Sequence, residues 1–356
     1  MALGARGLVQ SCDHCGPQVL GRAVPAWPSS FFDTDMTKQE LLAQLALPVI
    51  GSPLFIASNP RLVIEQCKAG IIGSFPALNA RPESALGGWL TQIKAELTAY
   101  KAANPGVKVA PYAVNQIVHQ SNNRLEHDIR ICVEHQVPVW ITSLRAPPKE
   151  MLDAVHAYGG IVLSDVINIR HARKAVEAGV DGLILVCNGA GGHAGALSPF
   201  ALVGEVREWF DGIVVLAGAI TRGEHVLAAQ AMGADMAYMG TRWLVCHEAN
   251  TTDAYKQGIV DSSAADVIYT NLFTGVHGNY LRRSIENAGL DPDNLPESDV
   301  SKMNFGSGGT DLKKAWRDIW GVGQGVGLIK TVESVAEAAT QIKRDYAAAR
   351  DRMARV

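Results

Sequence analysis

The stretch Gly182-Leu183-Ile184-Leu185-Val186-Cys187-Asn188-Gly189-Ala190-Gly191-Gly192-His193-Ala194-Gly195 is a short apolar run that breaks into a glycine-rich loop. Its first five residues are continuously apolar, as a strand buried on both faces of a parallel sheet should be. The same unit recurs on either side. Leu47 to Ile50, Ala69 to Pro76, Lys108 to Val114, Pro138 to Thr142 and Ile161 to Leu163 precede it, and Ile213 to Leu216 and Asp235 to Met239 follow. Amphipathic stretches between them predict helices at 60–69, 82–103, 122–135, 148–158, 168–178, from Pro199, and 222–232. The first of these opens with Asn59 as N-cap and Pro60 at the first helical position. Eight strand–helix alternations between residues 47 and 247 predict a (β/α)8 barrel. An open doubly wound sheet would instead carry a GxGxxG phosphate loop after its first strand. Here that strand runs into Gly51-Ser52-Pro53.

After residue 250 the alternation stops. Thr, Asp, Asn, Gly and Pro are frequent over 250–320, broken by amphipathic pieces near 278–289 and 311–320. This predicts a small, mostly helical and loop lid or substrate subdomain inserted before the C-terminal helix. That helix, over about 331–350, places Val335, Ala338, Ala339 and Ile342 on one face. The expected organisation is a flexible leader at 1–36, a barrel over 37–249 and 321–356, and the insertion at 250–320.

Composition narrows the function classes. Of 356 residues, 47% are hydrophobic and 19% charged, too apolar for a disordered chain. A net charge of −3 offers no broad electrostatic footprint for nucleic acid or anionic membrane. The leader lacks the apolar core of a signal peptide, and no run reaches the length of a membrane span. A cytoplasmic, reduced chain is expected. Its six cysteines show no disulfide spacing, and Cys12-Asp13-His14-Cys15 lacks the second ligand pair of a zinc site, so no metal is expected.

Chemistry in such a barrel belongs at the carboxyl ends of the strands. Four glycines surround His193 in the loop after the sixth strand, so backbone N–H groups can approach a flat or phosphorylated ligand. The imidazole itself suits proton transfer near neutral pH; the alternative is a solvated turn histidine. Ala217-Gly218-Ala219-Ile220-Thr221 and Gly240-Thr241-Arg242 follow the last two strands, where barrels of this kind bind phosphate. Asn115 ends the third predicted strand and can read a heteroaromatic edge or cap a turn. Asp165 ends the fifth and suits a base, a hydroxyl acceptor or an N-cap.

These residues, taken in order, resemble the nitronate monooxygenase family, FMN enzymes on a TIM barrel. The resemblance covers about residues 40–330. It rests on Gly73-Ser74-Phe75-Pro76, Val114-Asn115, Ala190-Gly191-Gly192-His193, Ala217-Gly218-Ala219-Ile220, Gly233-Ala234-Asp235, Met239-Gly240-Thr241-Arg242 and Gly323-Gln324-Gly325. It implies that Asn115 and Gly191 contact FMN, that Gly218 and Tyr238, Met239, Gly240 and Thr241 bind its phosphate, and that His193 is the active-site histidine. Gly192, Asp165 and Gln324 are further cofactor-contact candidates. The implied reaction oxidises an alkyl nitronate, or a nitroalkane, with O2 to a carbonyl compound and nitrite. The alternatives are an NAD(P)H-dependent quinone or enoyl-thioester reductase on the same scaffold, and a flavin-free sugar-phosphate barrel. Two departures stand out: Val186-Cys187 where relatives often carry Gln, and Asp165 where some carry Lys. A homodimer is the assembly to test.

Overall fold

The structure, a computed structural model, describes residues 36–298 and 318–355. The leader before Met36, its CxxC pair, and most of the amphipathic piece expected at 311–320 lie outside the described residues. Eight parallel strands make the barrel: β1 (Val49–Gly51), β2 (Gly73–Pro76), β3 (Tyr112–Ile117), β4 (Val139–Ser143), β5 (Ile161–Val166), β6 (Gly182–Val186), then β8 (Ile213–Ala217) and β9 (Met236–Met239). Between β6 and β8 lies a two-residue strand, β7 (Gly192–His193), that belongs to a second sheet. Hydrogen bonds from the Gly51 amide to the Ile72 carbonyl (2.8 Å) and from the Ile72 amide to the Val49 carbonyl (3.1 Å) close the barrel between β1 and β2.

Eleven helices that lie wholly within the described residues precede the C-terminal one. They are α1 (Lys38–Ala43), α2 (Pro60–Lys68), α3 (Ala85–Ala103), α4 (Leu125–Glu134), α5 (Lys149–His156), α6 (Ile169–Ala178), α7 (Pro199–Arg207), α8 (Gly223–Ala231), α9 (Thr241–Leu244), α10 (Asp253–Val260) and α11 (Arg282–Asn287). The last, α12 (Val335–Met353), returns to the barrel. The Asn59 side chain accepts from the Leu62 amide ahead of Pro60, the start that the sequence predicts for α2. Helix α1 is not among the helices that apolar periodicity predicts. Its signal is the Thr37/Glu40 capping box, in which each side chain bonds the other residue's amide.

Strand alternation divides the core into two layers. Ile50, Ile141, Leu163, Ile184, Val215 and Met236 fill the barrel interior, and Leu41 and Leu45 beside α1 pack against them. Leu183, Leu185, Leu216, Ala237 and Met239 face the opposite way, into the layer beneath the helices, where Val335, Ala338, Ala339 and Ile342 of α12 also pack.

Three expectations change. Strands β3 and β5 run past their apolar runs, so Asn115 and Asp165 sit inside strands rather than at their ends. Polar residues are tolerated there because that face opens into a cavity. The segment 278–289 is a strand, β11 (Gly278–Leu281), followed by α11. Together with β10 (Val267–Thr270), β11 makes an antiparallel sheet. That sheet takes in β7 as its third strand, so the glycine loop of the barrel is hydrogen-bonded to the insertion.

Helix α12 lies directly on the start of α8. A Cβ added to Gly223 would fall 2.1 Å from the Tyr346 amide nitrogen and 2.2 Å from the Ile342 carbonyl oxygen. Gly223→Ala should therefore destabilise the fold by roughly 1–3 kcal/mol through overpacking against backbone. Chemical denaturation checks this; an unchanged midpoint would mean that the two helices move apart freely.

Candidate active site

A cavity of about 540 Å³ opens at the carboxyl ends of the strands, within the range of small-ligand and cofactor sites. Of the residues singled out from the sequence, Asn115, Asp165, Gly191, Gly192, His193, Gly218, Tyr238, Gly240 and Thr241 all line it. Met239 and Gln324 do not. The alternation that turns Tyr238 inward turns Met239 out into the helix-facing core, where it is fully buried. The Gln324 side chain is exposed, and its contribution is its amide, which donates to the Gly189 carbonyl (2.9 Å).

The floor is a polar chain across three adjacent strands. The Asn115 amide nitrogen donates to Ser143 Oγ (2.7 Å), and the Ser143 hydroxyl donates to Asp165 Oδ2 (2.7 Å). Among the described residues Asp165 Oδ1 is buried without a hydrogen-bond partner, as are Tyr238 Oη and Thr221 Oγ1, both from residues that line the cavity. Burial pushes the Asp165 carboxyl up to about 7, against the opposing effect of the Ser143 hydrogen bond. Near neutrality much of it is a carboxylic acid, and its proton is a donor where a carboxylate would only accept. Burial, with the Asp165 charge beside it, also holds Tyr238 well above the usual phenol range. Ser143 is absent from the sequence-derived candidates. Its signal is positional, as the polar residue next after the fourth predicted strand.

His193 does not stand in a mobile glycine loop. In β7 it pairs with Gly278, while Gly192 pairs with Asn279, and the Asn279 side chain donates to the Ala190 carbonyl (2.6 Å). Its Nε2 lies 2.9 Å from Thr274 Oγ1. That hydroxyl donates to the Val276 carbonyl (3.0 Å) and faces the Val276 amide (3.3 Å). With the hydroxyl proton given to the Val276 carbonyl, Nε2 is the donor to Thr274 and Nδ1 is the basic nitrogen. Burial lowers the His193 pKa to about 4, so the ring is neutral at physiological pH.

On the far side, glycines let loops interlock as well as admit a ligand. A Cβ on Gly191 would lie 2.7 Å from the Gly323 amide nitrogen, and one on Gly323 would lie 2.7 Å from the Gly189 carbonyl oxygen. Thr241 Oγ1 accepts from the Gly323 amide (2.8 Å), tying the loop after β9 to this pair. Gly218 (φ +145°) and Ala219 (φ +53°) carry the turn after β8 through the left-handed region. A Cβ at Gly240 would lie 3.4 Å from Leu54 and 3.6 Å from Ser52, both of which line the cavity.

A closed eight-stranded barrel with a glycine-walled, partly desolvated cavity at its C-terminal mouth is the framework of a flavin-dependent oxidoreductase. A family model described as nitronate monooxygenase matches residues 89–340. The chain belongs to that family. It is 25% identical to a nitronate monooxygenase of Neurospora crassa, over 83% of this chain and 88% of that protein. Two other curated relatives are covered over only 64% of their length. Among solved structures, FabK from Thermotoga maritima superposes with a TM-score of 0.71 at 23% identity, covering 89% of this chain and 98% of FabK. Nitroalkane oxidase from Streptomyces ansochromogenes superposes with a TM-score of 0.72 at 22% identity, covering 88% and 99%. Both structures share the fold.

The raised Asp165 pKa has a stability consequence. Below about pH 4 the group is protonated in folded and unfolded chains alike. As pH rises from there to about 7, the unfolded chain ionises first, and the fold loses stability. Asp165→Asn removes that loss. In flavin-free protein its denaturation midpoint should exceed wild type more at pH 8 than at pH 5.5, and an equal difference at both would refute the assignment.

Proposed function

We propose that this chain oxidises alkyl nitronates, and nitroalkanes after their deprotonation, with O2 to a carbonyl compound and nitrite, using FMN bound in the barrel cavity. The observation that carries the reading is His193, a neutral imidazole at the cavity whose basic nitrogen is fixed by its hydrogen bond to Thr274. Relatives named nitronate monooxygenase, 24–25% identical over most of their length, support it.

The residues fit the cofactor. Three buried polar atoms, Asp165 Oδ1, Tyr238 Oη and Thr221 Oγ1, belong to cavity-lining residues and lack a partner among the described residues. At Gly240 a Cβ would make ordinary van der Waals contact with Leu54 and Ser52 of the cavity lining. Asn115, Asp165 and Tyr238 would hold the polar edges of the flavin, and Gly218, Gly240 and Thr241 its phosphate. Bound flavin supplies an electron acceptor for a carbanion and a route from there to O2.

The chain's own part is proton transfer, orientation and exclusion of water. His193 Nδ1 takes the α-proton of a neutral nitroalkane, and a positioned base of this kind contributes roughly 10²–10⁴-fold. Toward a preformed nitronate the same ring needs only to orient. The Thr274 contact keeps the tautomer, and pairing of β7 with β11 keeps the ring at the cavity. Apolar neighbours such as Ile117, Ile220 and Leu244 keep the chamber dry enough to preserve a carbanion.

His193→Asn should retain flavin while lowering nitrite release from neutral nitroalkane by roughly 10²–10⁴-fold, with a much smaller loss on preformed nitronate. Because burial lowers the histidine's pKa, wild-type kcat/KM for nitroalkane should hold through pH 6 and fall only toward about 4. Equal losses on both substrates, or no loss on either, would remove His193 from the proton transfer.

A further inference from the structure

Among the described residues, all the formally charged ones lining the cavity lie on one side of it. Arg81 follows β2, Arg145 follows β4, and Asp165 is in β5. His119 follows β3 and His171 lies in α6 on the same side. Among the described residues no Lys, Arg, Asp or Glu lines the half formed by the loops after β1, β6, β8 and β9. A chain of net charge −3 thus surrounds a cavity whose exposed rim is cationic. Among the described residues the one carboxyl group lining it lies in the floor, with its pKa raised to about 7 by burial.

The two arginines are held without being neutralised. Arg124 donates to the Ala80 carbonyl (2.8 Å) and the Ala77 carbonyl (3.3 Å), and pairs with Asp128 (3.0 Å), so the turn carrying Arg81 is fixed from behind. Arg81 Nε donates to the Leu78 carbonyl (3.1 Å), and its guanidinium lies 5.5 Å from the centre of the Phe55 ring. Its two terminal nitrogens have no hydrogen-bond partner among the described residues. Arg145 is exposed and likewise makes no ion pair there. It follows Leu144, whose φ of +78° is a strained conformation for a bulky side chain, of the kind retained where position matters. His119 and Arg145 line the same cavity, and burial, with the Arg145 charge nearby, lowers the ring's pKa. Two unpaired guanidinium groups at a concave mouth attract anions and can bind one through paired N–H donors.

We propose that Arg81 and Arg145, flanking the loop of His119, form a subsite for an anionic group, a carboxylate or phosphate, that the substrate carries away from its reacting carbon. This rests on the cavity being the substrate's chamber, as in the proposed function, and holds whichever oxidation occurs there. The glycine half of the cavity, lined among the described residues by no charged side chain, is left to the cofactor's phosphate.

The test is calorimetric titration of flavin-loaded protein with glutarate, inorganic pyrophosphate and the uncharged glutaramide. Wild type is compared with Arg81→Gln, Arg145→Gln and the double variant, each checked for an unchanged thermal midpoint. At least one anion should bind, weaken at least tenfold in each single variant and weaken with added salt, while glutaramide gives no heat. Glutarate and pyrophosphate together distinguish a carboxylate subsite from a phosphate one. Binding that is equal in the double variant, or absent for both anions in wild type, overturns the proposal. So does a loss of affinity for FMN but not riboflavin in the double variant, which would give the arginines to the cofactor's phosphate. The nitronate reading fails separately, by absence of nitrite from any nitroalkane, and leaves these titrations unchanged.

Discussion

The hydrogen-bonded chain from the Asn115 amide through the Ser143 hydroxyl to the Asp165 carboxyl is the constraint on which the site depends. Barrel closure forces inward residues of β3, β4 and β5 into one layer, and below that layer the interior is filled by Ile141, Leu163 and Ile184. A carboxyl group on top of so apolar a column cannot ionise cheaply. One Ser143 donor offsets part of the cost, leaving Oδ1 unsatisfied and the group poised near neutrality. The cavity floor thus carries a donor that disappears as pH rises. That floor is therefore electrically adjustable.

The opposite wall is made by backbone. Interlocked glycines at 189, 191 and 323, tied by Thr241, leave no room for side chains between the loops after β6 and β9 and the segment before α12. The same glycine loop then becomes the third strand of the insertion's sheet. His193 is thereby placed by two elements more than eighty residues apart in sequence, through Thr274 and Gly278. A histidine restrained in this way can keep one tautomer, which a base in a mobile loop cannot.

Much of this was legible in the sequence because buried parallel strands are written as short apolar runs, and all eight appeared in order. Asn115, Asp165 and His193 were recognisable as polar residues at or just past those runs. The runs misplaced two strand ends, since apolar patterning stops at the first polar residue even when the ladder continues to Ile117 and Val166. Met239 was drawn in by its neighbours in a motif, although strand alternation alone turns it outward. Ser143, Thr274 and the β7–β11 pairing were not legible, because each gains its role from a partner distant in the chain. The glycines also have a role that the sequence does not show, since those at 189, 191 and 323 sit in loop-to-loop contact while lining the cavity.

On the proposed reading this cavity passes electrons from a carbanion, without a nicotinamide, to O2. Anaerobic rapid mixing of the flavin-loaded protein with propyl-2-nitronate or with NADH, followed at the flavin absorption band, tests it most directly. The account predicts loss of flavin absorbance with the nitronate, its return with nitrite release on admitting O2, and a persistently yellow protein with NADH. Rapid bleaching by NADH with no response to the nitronate would contradict it.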